Sequence, residues 1–260
     1  MTSSRQTALI TGAGNGIGRA IAIAMAENDR NVVCADIDLS AAETTAATIR
    51  QLGVEATALK VDVGETSEIS NMIQDIERQF GRLDILVNNA GVTRAADIME
   101  LTEADWDKIH RVNAKGVFFC LQNAAKQMIE QGNGGRIINI ASIAGRGFSG
   151  TSNAAYSASK GAVISLTKTA AQQLAKHDIT VNSICPGVTT TEIVEGLVKT
   201  RAEARGISVE AMVKEMTDNI PLKRANEPED IAAMAIFLAS SGARNITGQS
   251  YNVDGGLVTS

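Results

Sequence analysis

Along most of the chain, short runs of β-branched and other apolar residues alternate with longer stretches whose apolar positions recur at helical spacing. The pattern predicts strands in TALIT (7–11), NVVCAD (31–36), ATALKVD (56–62), LDILVNN (83–89), GRIINIAS (135–142), DITVNSI (178–184) and GQSYNVDG (248–255). Helices are expected from about Ile17 to Asn28, near 40–52, over about 66–80, near 102–130 and near 155–176. The strand candidates are apolar almost throughout, as strands covered on both faces must be. This alternation predicts an α/β fold: a doubly wound parallel sheet of about seven strands with helices on both faces. No Pro/Gly/Ser-rich linker divides the chain, so 1–260 reads as one domain. The alternation breaks at roughly 188–225, around the charged helical stretch VKTRAEARGISVEAMVKEM. Both a substrate-covering segment and an extra surface helix pair fit there.

The first strand runs into Thr11-Gly12-Ala13-Gly14-Asn15-Gly16-Ile17-Gly18 and then a helix. Glycines let backbone turn sharply and approach a pyrophosphate, and the helix start supplies unpaired N–H donors. Gly12, Gly16 and Gly18 are the candidates for close approach, with Asn15 and Ile17 beside them. No GxxxxGK[ST] sequence is present, which argues against an ATPase loop. Asp36 ends the second strand, where a carboxylate accepts hydrogen bonds from an adenosine ribose diol and repels a 2′-phosphate. Neither Asn15 nor Ile37 supplies a compensating cation, so NAD is expected rather than NADP. Asp62, with Val63 after it, is placed to face the adenine amino group. Capping of the following turn is the alternative for either aspartate.

Composition narrows the partners. The formal net charge of −5 offers no overall basic surface for nucleic acid. Cys34, Cys120 and Cys185 are odd in number and lie in apolar stretches without CxxC spacing, so neither a disulfide framework nor a metal site is expected. No uninterrupted apolar run approaches eighteen residues, so no membrane span is expected, and the chain reads as soluble and cytoplasmic.

Tyr156-Ser-Ala-Ser-Lys160 places a phenol and an ammonium at i and i+4 on one helical face. An adjacent ammonium favours phenolate, so Tyr156 can act as acid in reduction and base in oxidation; a surface pair is the alternative. Ser142 ends a strand at the edge where open α/β sheets bind ligands, and its hydroxyl can polarise a carbonyl. A serine nucleophile fits less well because GxSxG is absent. His110 and His177 read as structural or solvent-facing.

Taken together, TGAGNGIG (11–18), Asp36, Asp62-Val63, NNAG (88–91), Asn113, IINIAS (137–142), YSASK (156–160), Pro186-Gly187 with Thr191, and VDGG (253–256) resemble the classical short-chain dehydrogenase/reductases over essentially the whole chain. The resemblance implies a Rossmann-like fold and reversible hydride transfer between a nicotinamide cofactor and an alcohol or carbonyl. It implies that Ser142 orients substrate, Tyr156 is the acid/base, Lys160 lowers the phenol pKa and holds ribose, and Asn113 supports a relay water. It places Asn89, Ala90, Gly91, Pro186, Gly187, Val188 and Thr191 around the cofactor. It also implies a homotetramer or homodimer.

The substrate candidates are Arg94, Arg146, Ser149, Thr151, Ser152 and Asn153, together with Ser142. Their hydroxyl and amide groups point to a polyol, sugar or small secondary alcohol, with the arginines available for an anionic substituent. Three alternatives stand beside it: an NADPH-dependent 3-oxoacyl-[acyl-carrier-protein] reductase, a hydroxysteroid or other bulky-alcohol dehydrogenase, and a noncatalytic nicotinamide-binding scaffold.

Overall fold

A computed structural model describes residues 5–148 and 152–259. The elements run β1 (Thr7–Thr11), α1 (Gly16–Glu27), β2 (Asn31–Asp36), α2 (Leu39–Arg50), β3 (Ala56–Lys60), α3 (Thr66–Phe80), β4 (Ile85–Asn88), α4 (Glu103–His110), α5 (Val117–Gln131), β5 (Gly135–Ile140), α6 (Ala154–Leu174), β6 (Ile179–Pro186), α7 (Glu192–Arg205), α8 (Val209–Asp218), α9 (Pro228–Ala239) and β7 (Ser250–Val253). All strand pairings are parallel, in the order β3-β2-β1-β4-β5-β6-β7. The expected doubly wound sheet of seven strands is therefore present.

The two-residue period of a strand sends successive side chains to opposite faces, and here both faces are buried. Ala8, Ile10, Val32, Cys34, Ile85 and Val87 pack on one side against α1, α2 and α9. Leu9, Val33, Ala35, Leu86, Ile137 and Val181 pack on the other against α3, α5 and α6. Burial of both faces explains why the strands read as continuous apolar runs. It also leaves only the strand ends open to ligands, and the order reverses between β1 and β4, where a crevice forms at the carboxyl edge.

Local chemistry sets the helix ends. Asp38 accepts from Ser40 N and Ala41 N to start α2, and Asn153 accepts from Tyr156 N at 2.8 Å to start α6. The helices α3 and α5 stop at Gly81 and Gly132, both in the left-handed region.

Two features depart from the sequence pattern. The helical stretch near 102–130 is interrupted by a π-helical turn at Arg111–Gly116 between α4 and α5. The helix α9 was not expected, because PEDIAAMAIFLA carries apolar residues around most of its circumference and shows no clear stripe. In the fold its Ile231, Ala232, Ala235 and Leu238 join the core that also contains Ile21, Ala22 and Met25 of α1.

The 188–225 region is a helix pair, α7 and α8, with a small core of its own from Val198, Ala202 and Met212. Its base is pinned: Thr190 N donates to Asn226 O, Asn226 N to Val188 O, and the Asn226 amide to Val253 O. No helix among the described residues is long and apolar enough to cross a membrane.

Leu86 is fully buried in the central strand β4. L86A should lower unfolding stability by about 2–5 kcal/mol in a urea titration; a loss under about 1 kcal/mol would contradict this packing.

Candidate active site

The carboxyl edge of the sheet opens into a cleft of about 400 Å³. One end of it is built from the first βα turn. Gly12 is in the left-handed region, and a Cβ there would lie 2.9 Å from Ala90 Cα. At Gly18 a Cβ would sit 2.0 Å from the Gly12 carbonyl oxygen, so α1 can reach the turn only with glycine at that position. The Asn89 side chain donates to Thr11 O and Gly12 O, both at 3.0 Å. Thr11 Oγ1 in turn accepts from Asn89 N and Ala90 N. These bonds stitch the ends of β1 and β4 together.

Asn15 precedes α1 without giving it a side-chain cap. The first-turn N–H groups of α1 are thus available to an anion in the cleft, where Gly12, Asn15, Gly16 and Ile17 all line the wall. A Cβ on Gly16 would project to 3.3 Å from Thr191 Cγ2, into the space between α1 and the opposite wall. Gly18 is not among the lining residues.

Asp36 lines the cleft at the end of β2. Its Oδ2 accepts from Gly14 N at 2.8 Å and its Oδ1 from Asp38 N at 3.0 Å. Each oxygen keeps a further lone pair for a ligand hydroxyl. Ile37 beside it is 63% exposed. Among the described lining residues Lys160 is the single cation. Asp62 and Val63 line the same end; Asp62 Oδ1 accepts from Gly64 N at 2.8 Å and its Oδ2 pairs with Arg111 at 3.0 Å. The capping alternative thus describes part of what Asp62 does.

Ser142, Tyr156 and Lys160 meet at the other end. Lys160 Nζ donates to Ile140 O at 2.8 Å and lies 5.7 Å from the Tyr156 ring centroid. Burial lowers the ammonium to about 8. Burial also pushes the Tyr156 phenol above its ordinary value, with its hydrogen bond to Ser142 acting in the opposite sense. Burial is the largest influence on the phenol, and the ammonium donates to the Ile140 carbonyl.

Asn113 is fully buried in the π-helical turn. Its Oδ1 accepts from Val92 N at 2.8 Å, and its Nδ2 donates to Val92 O and to Ser159 Oγ. A Cβ on Gly91 would touch both Asn113 Oδ1 and Lys160 Nζ, so the amide and the ammonium flank one glycine. π-Helical turns of this kind recur at functional sites.

The far wall comprises Pro186 at the end of β6, Gly187, Thr189 and Thr191 following it, and Val194 and Leu197 from α7. Thr191 also caps α7 through Val194 N. Val188 is not among the lining residues; its carbonyl accepts from Asn226 N.

The substrate candidates divide. Ser152 lines the cleft. Arg94 does not: its guanidinium forms a two-point pair with Asp105, with both contacts at 2.6 Å. Arg146 is also absent from the lining and donates to Ser250 O. Asn153 caps α6 and donates to Arg94 O, so its polar atoms serve the scaffold. Each of these three is held by a protein partner that the sequence distance conceals. Ser149 and Thr151 lie outside the described residues. Thr93, Thr189, Val194 and Leu197 also line the cleft; they belong to Val92-Thr93-Arg94 and to the 188–220 segment, both of which the sequence offers as pocket segments.

Lys160 generates a prediction with a definite sign. Between about pH 8 and 10.5 the unfolded chain holds a proton that the folded chain has lost, so folding stability gained from this group rises with pH across that window. K160M should be the more stable protein below pH 8, and its advantage should shrink by on the order of 3 kcal/mol by pH 10.5. Parallel stability–pH curves in denaturant titrations would contradict the buried ammonium.

The profile of the enoyl-(acyl carrier protein) reductase family matches residues 12–258. The chain is 41% identical over 254 residues to the 3-oxoacyl-[acyl-carrier-protein] reductase FabG of Staphylococcus epidermidis, covering 97% of this chain and 98% of that protein. It is 40% identical over 251 residues to the sorbitol dehydrogenase of Cereibacter sphaeroides, covering 96% of each. A short-chain type dehydrogenase/reductase from Mycobacterium marinum has a similar structure, with a TM-score of 0.90 at 34% identity and coverage of 99% of this chain and 97% of that one. NAD⁺-bound xylitol dehydrogenase gives a TM-score of 0.91 at 32% identity, covering 98% and 100%. The chain belongs to the short-chain dehydrogenase/reductase family of nicotinamide-dependent oxidoreductases.

Proposed function

We propose that this protein is an NAD-dependent dehydrogenase that interconverts a polyol, sugar or small secondary alcohol with its carbonyl. The observation that carries the reading is one cleft lined at one end by Asp36, with no cationic side chain among the described lining there, and at the other by Ser142, Tyr156 and Lys160. The sorbitol and xylitol dehydrogenases support the substrate class.

The residues fit a nicotinamide dinucleotide. The uncapped start of α1 receives the pyrophosphate, Asp36 the adenosine ribose diol, and Asp62 with Val63 the adenine. Asn89, Ala90, Gly91, Pro186, Gly187 and Thr191 surround the nicotinamide half. When bound, the cofactor supplies the hydride acceptor or donor at nicotinamide C4. Ser142 holds the substrate oxygen by a hydrogen bond. In oxidation, Tyr156 takes the hydroxyl proton as the carbonyl forms; in reduction, it returns that proton to the oxygen. Lys160 stabilises the ionised phenol against its burial and holds ribose, and Asn113 supports the water that links the ammonium to solvent. The helices α7 and α8 cover the substrate on their pinned base, and the protein assembles as a homotetramer or homodimer in the cytoplasm.

A second reading is an NADPH-dependent 3-oxoacyl-[acyl-carrier-protein] reductase, favoured by the Staphylococcus relative. Asp36 weighs against it, because a 2′-phosphate would meet a carboxylate with no cation lining that end.

Initial rates across polyols, secondary alcohols and a 3-oxoacyl thioester, with each cofactor, test the choice. NAD-linked polyol turnover is expected, and thioester reduction with NADPH alone would overturn it. Y156F should reduce turnover by about 10²-fold or more while NAD affinity stays within a few fold; near-normal turnover would remove Tyr156 from the chemistry. I37R should raise NADP use and leave the Gly14–Asp36 bond intact, whereas D36A should weaken NAD preference and also lower thermal stability. An unchanged NAD:NADP ratio of kcat/KM in both variants would place selectivity elsewhere.

A further inference from the structure

Thr93 Oγ1 and Ser152 Oγ lie 2.5 Å apart, and both residues line the cleft that holds Ser142 and Tyr156. They come from different segments, Thr93 from the chain leaving β4 and Ser152 from the approach to α6. Buried Asn153 holds them in place. Its Nδ2 donates to Arg94 O at 2.8 Å and to Thr93 Oγ1 at 3.4 Å, while its Oδ1 accepts from Tyr156 N. Asn113 fixes Val92 through both its N–H and its carbonyl, and reaches Ser159 of the same helix. The segment carrying Thr93 is thus tied at two points to the helix that carries Tyr156.

Proton counting defines what this pair accepts. Each hydroxyl has one proton and two acceptor lone pairs. One proton lies between the two oxygens, and one lone pair of Thr93 faces the Asn153 amide. One O–H donor and two lone pairs remain. An alcohol, which both donates and accepts, complements them. A carboxylate or phosphate only accepts, and an acyl chain would bury the free proton without a partner.

We propose that Thr93 and Ser152 form a specificity pair that binds a second hydroxyl of the substrate, so that the cleft selects polyols and sugars over monohydric alcohols. This rests on the polyol reading above and adds the residues that enforce it. A site built around a substrate hydroxyl rejects the analogue lacking it more strongly than an apolar pocket rejects an added group.

The test compares kcat/KM for xylitol, sorbitol and pentan-2-ol with NAD, in the wild type, T93V, T93S and S152A. The wild type should favour at least one of the two polyols over pentan-2-ol by about tenfold or more. T93V and S152A should each lose about tenfold on that polyol, mainly through KM, and should be unchanged or improved on pentan-2-ol. T93S should behave as the wild type. If T93V does not fold, S152A carries the same comparison. Equal losses on polyol and pentan-2-ol would overturn the specificity role and leave the pair as a tie between two segments. A wild type that uses pentan-2-ol as well as the polyols would also overturn it. Wild-type reduction of a 3-oxoacyl thioester with no alcohol turnover would overturn the polyol reading itself, and is distinguished because it needs no variant.

Discussion

The contact between the first βα turn and the end of β4 is the constraint on which the cleft depends. Gly18 brings α1 so near the Gly12 carbonyl that a single methyl group would collide with it. Asn89 and Thr11 then bond the two strand ends across the gap. With that approach fixed, the uncapped start of α1 faces the crevice, and everything anchored to β4, including Ala90, Gly91 and the segment after them, takes its position from the same stitch. Under the proposed function, backbone groups at that helix start receive the pyrophosphate without a cationic side chain.

From there the site is carried by buried amides. Asn113 and Asn153 have no charge to desolvate, yet each offers two donors and an acceptor in a fixed plane. They pin the chain from Val92 to Arg94 against α6, the helix that presents Tyr156 and Lys160. The one buried cation at the centre is an exception with a purpose. Lys160 is desolvated enough to titrate near about 8, so its charge responds to a modest change in its surroundings. Tyr156 is pushed the other way by the same burial. A phenol and an ammonium whose ordinary values lie close together are thereby held in an environment that resists ionising either one alone.

The strands were legible because their burial on both faces leaves an apolar run, and the helices α2, α3 and α6 were legible from periodicity within a few residues of their observed limits. Helix α9 was hidden because apolar residues also stand on its outer face, where Phe237 is 44% exposed, so no polar stripe marks the helix. The π-helical turn at Arg111–Gly116 has no signature in spacing, since it differs from an α-helix by one residue of register. Among site residues, the glycines, Asp36, Ser142, Tyr156 and Lys160 stood out because each sits at a strand end or on one helical face. Thr93 stood out only as part of the segment Val92-Thr93-Arg94, because nothing about a threonine in a loop reveals a serine 59 residues away at hydrogen-bond distance.

The sequence by itself determined the fold class, the turn chemistry of the first crossover and the residue types available for proton transfer, because these follow from local periods and from backbone sterics at glycine. The tertiary structure decided which polar groups remain free for a ligand. Arg94 and Arg146 were as available as Ser152 on paper, but Asp105 and the Ser250 carbonyl engage them. It also decided how far each group is desolvated, since that depends on how many atoms exclude water from it and not on which residue stands four positions away. Partners and solvent exclusion are properties of packing between distant segments, and packing is absent from any local pattern.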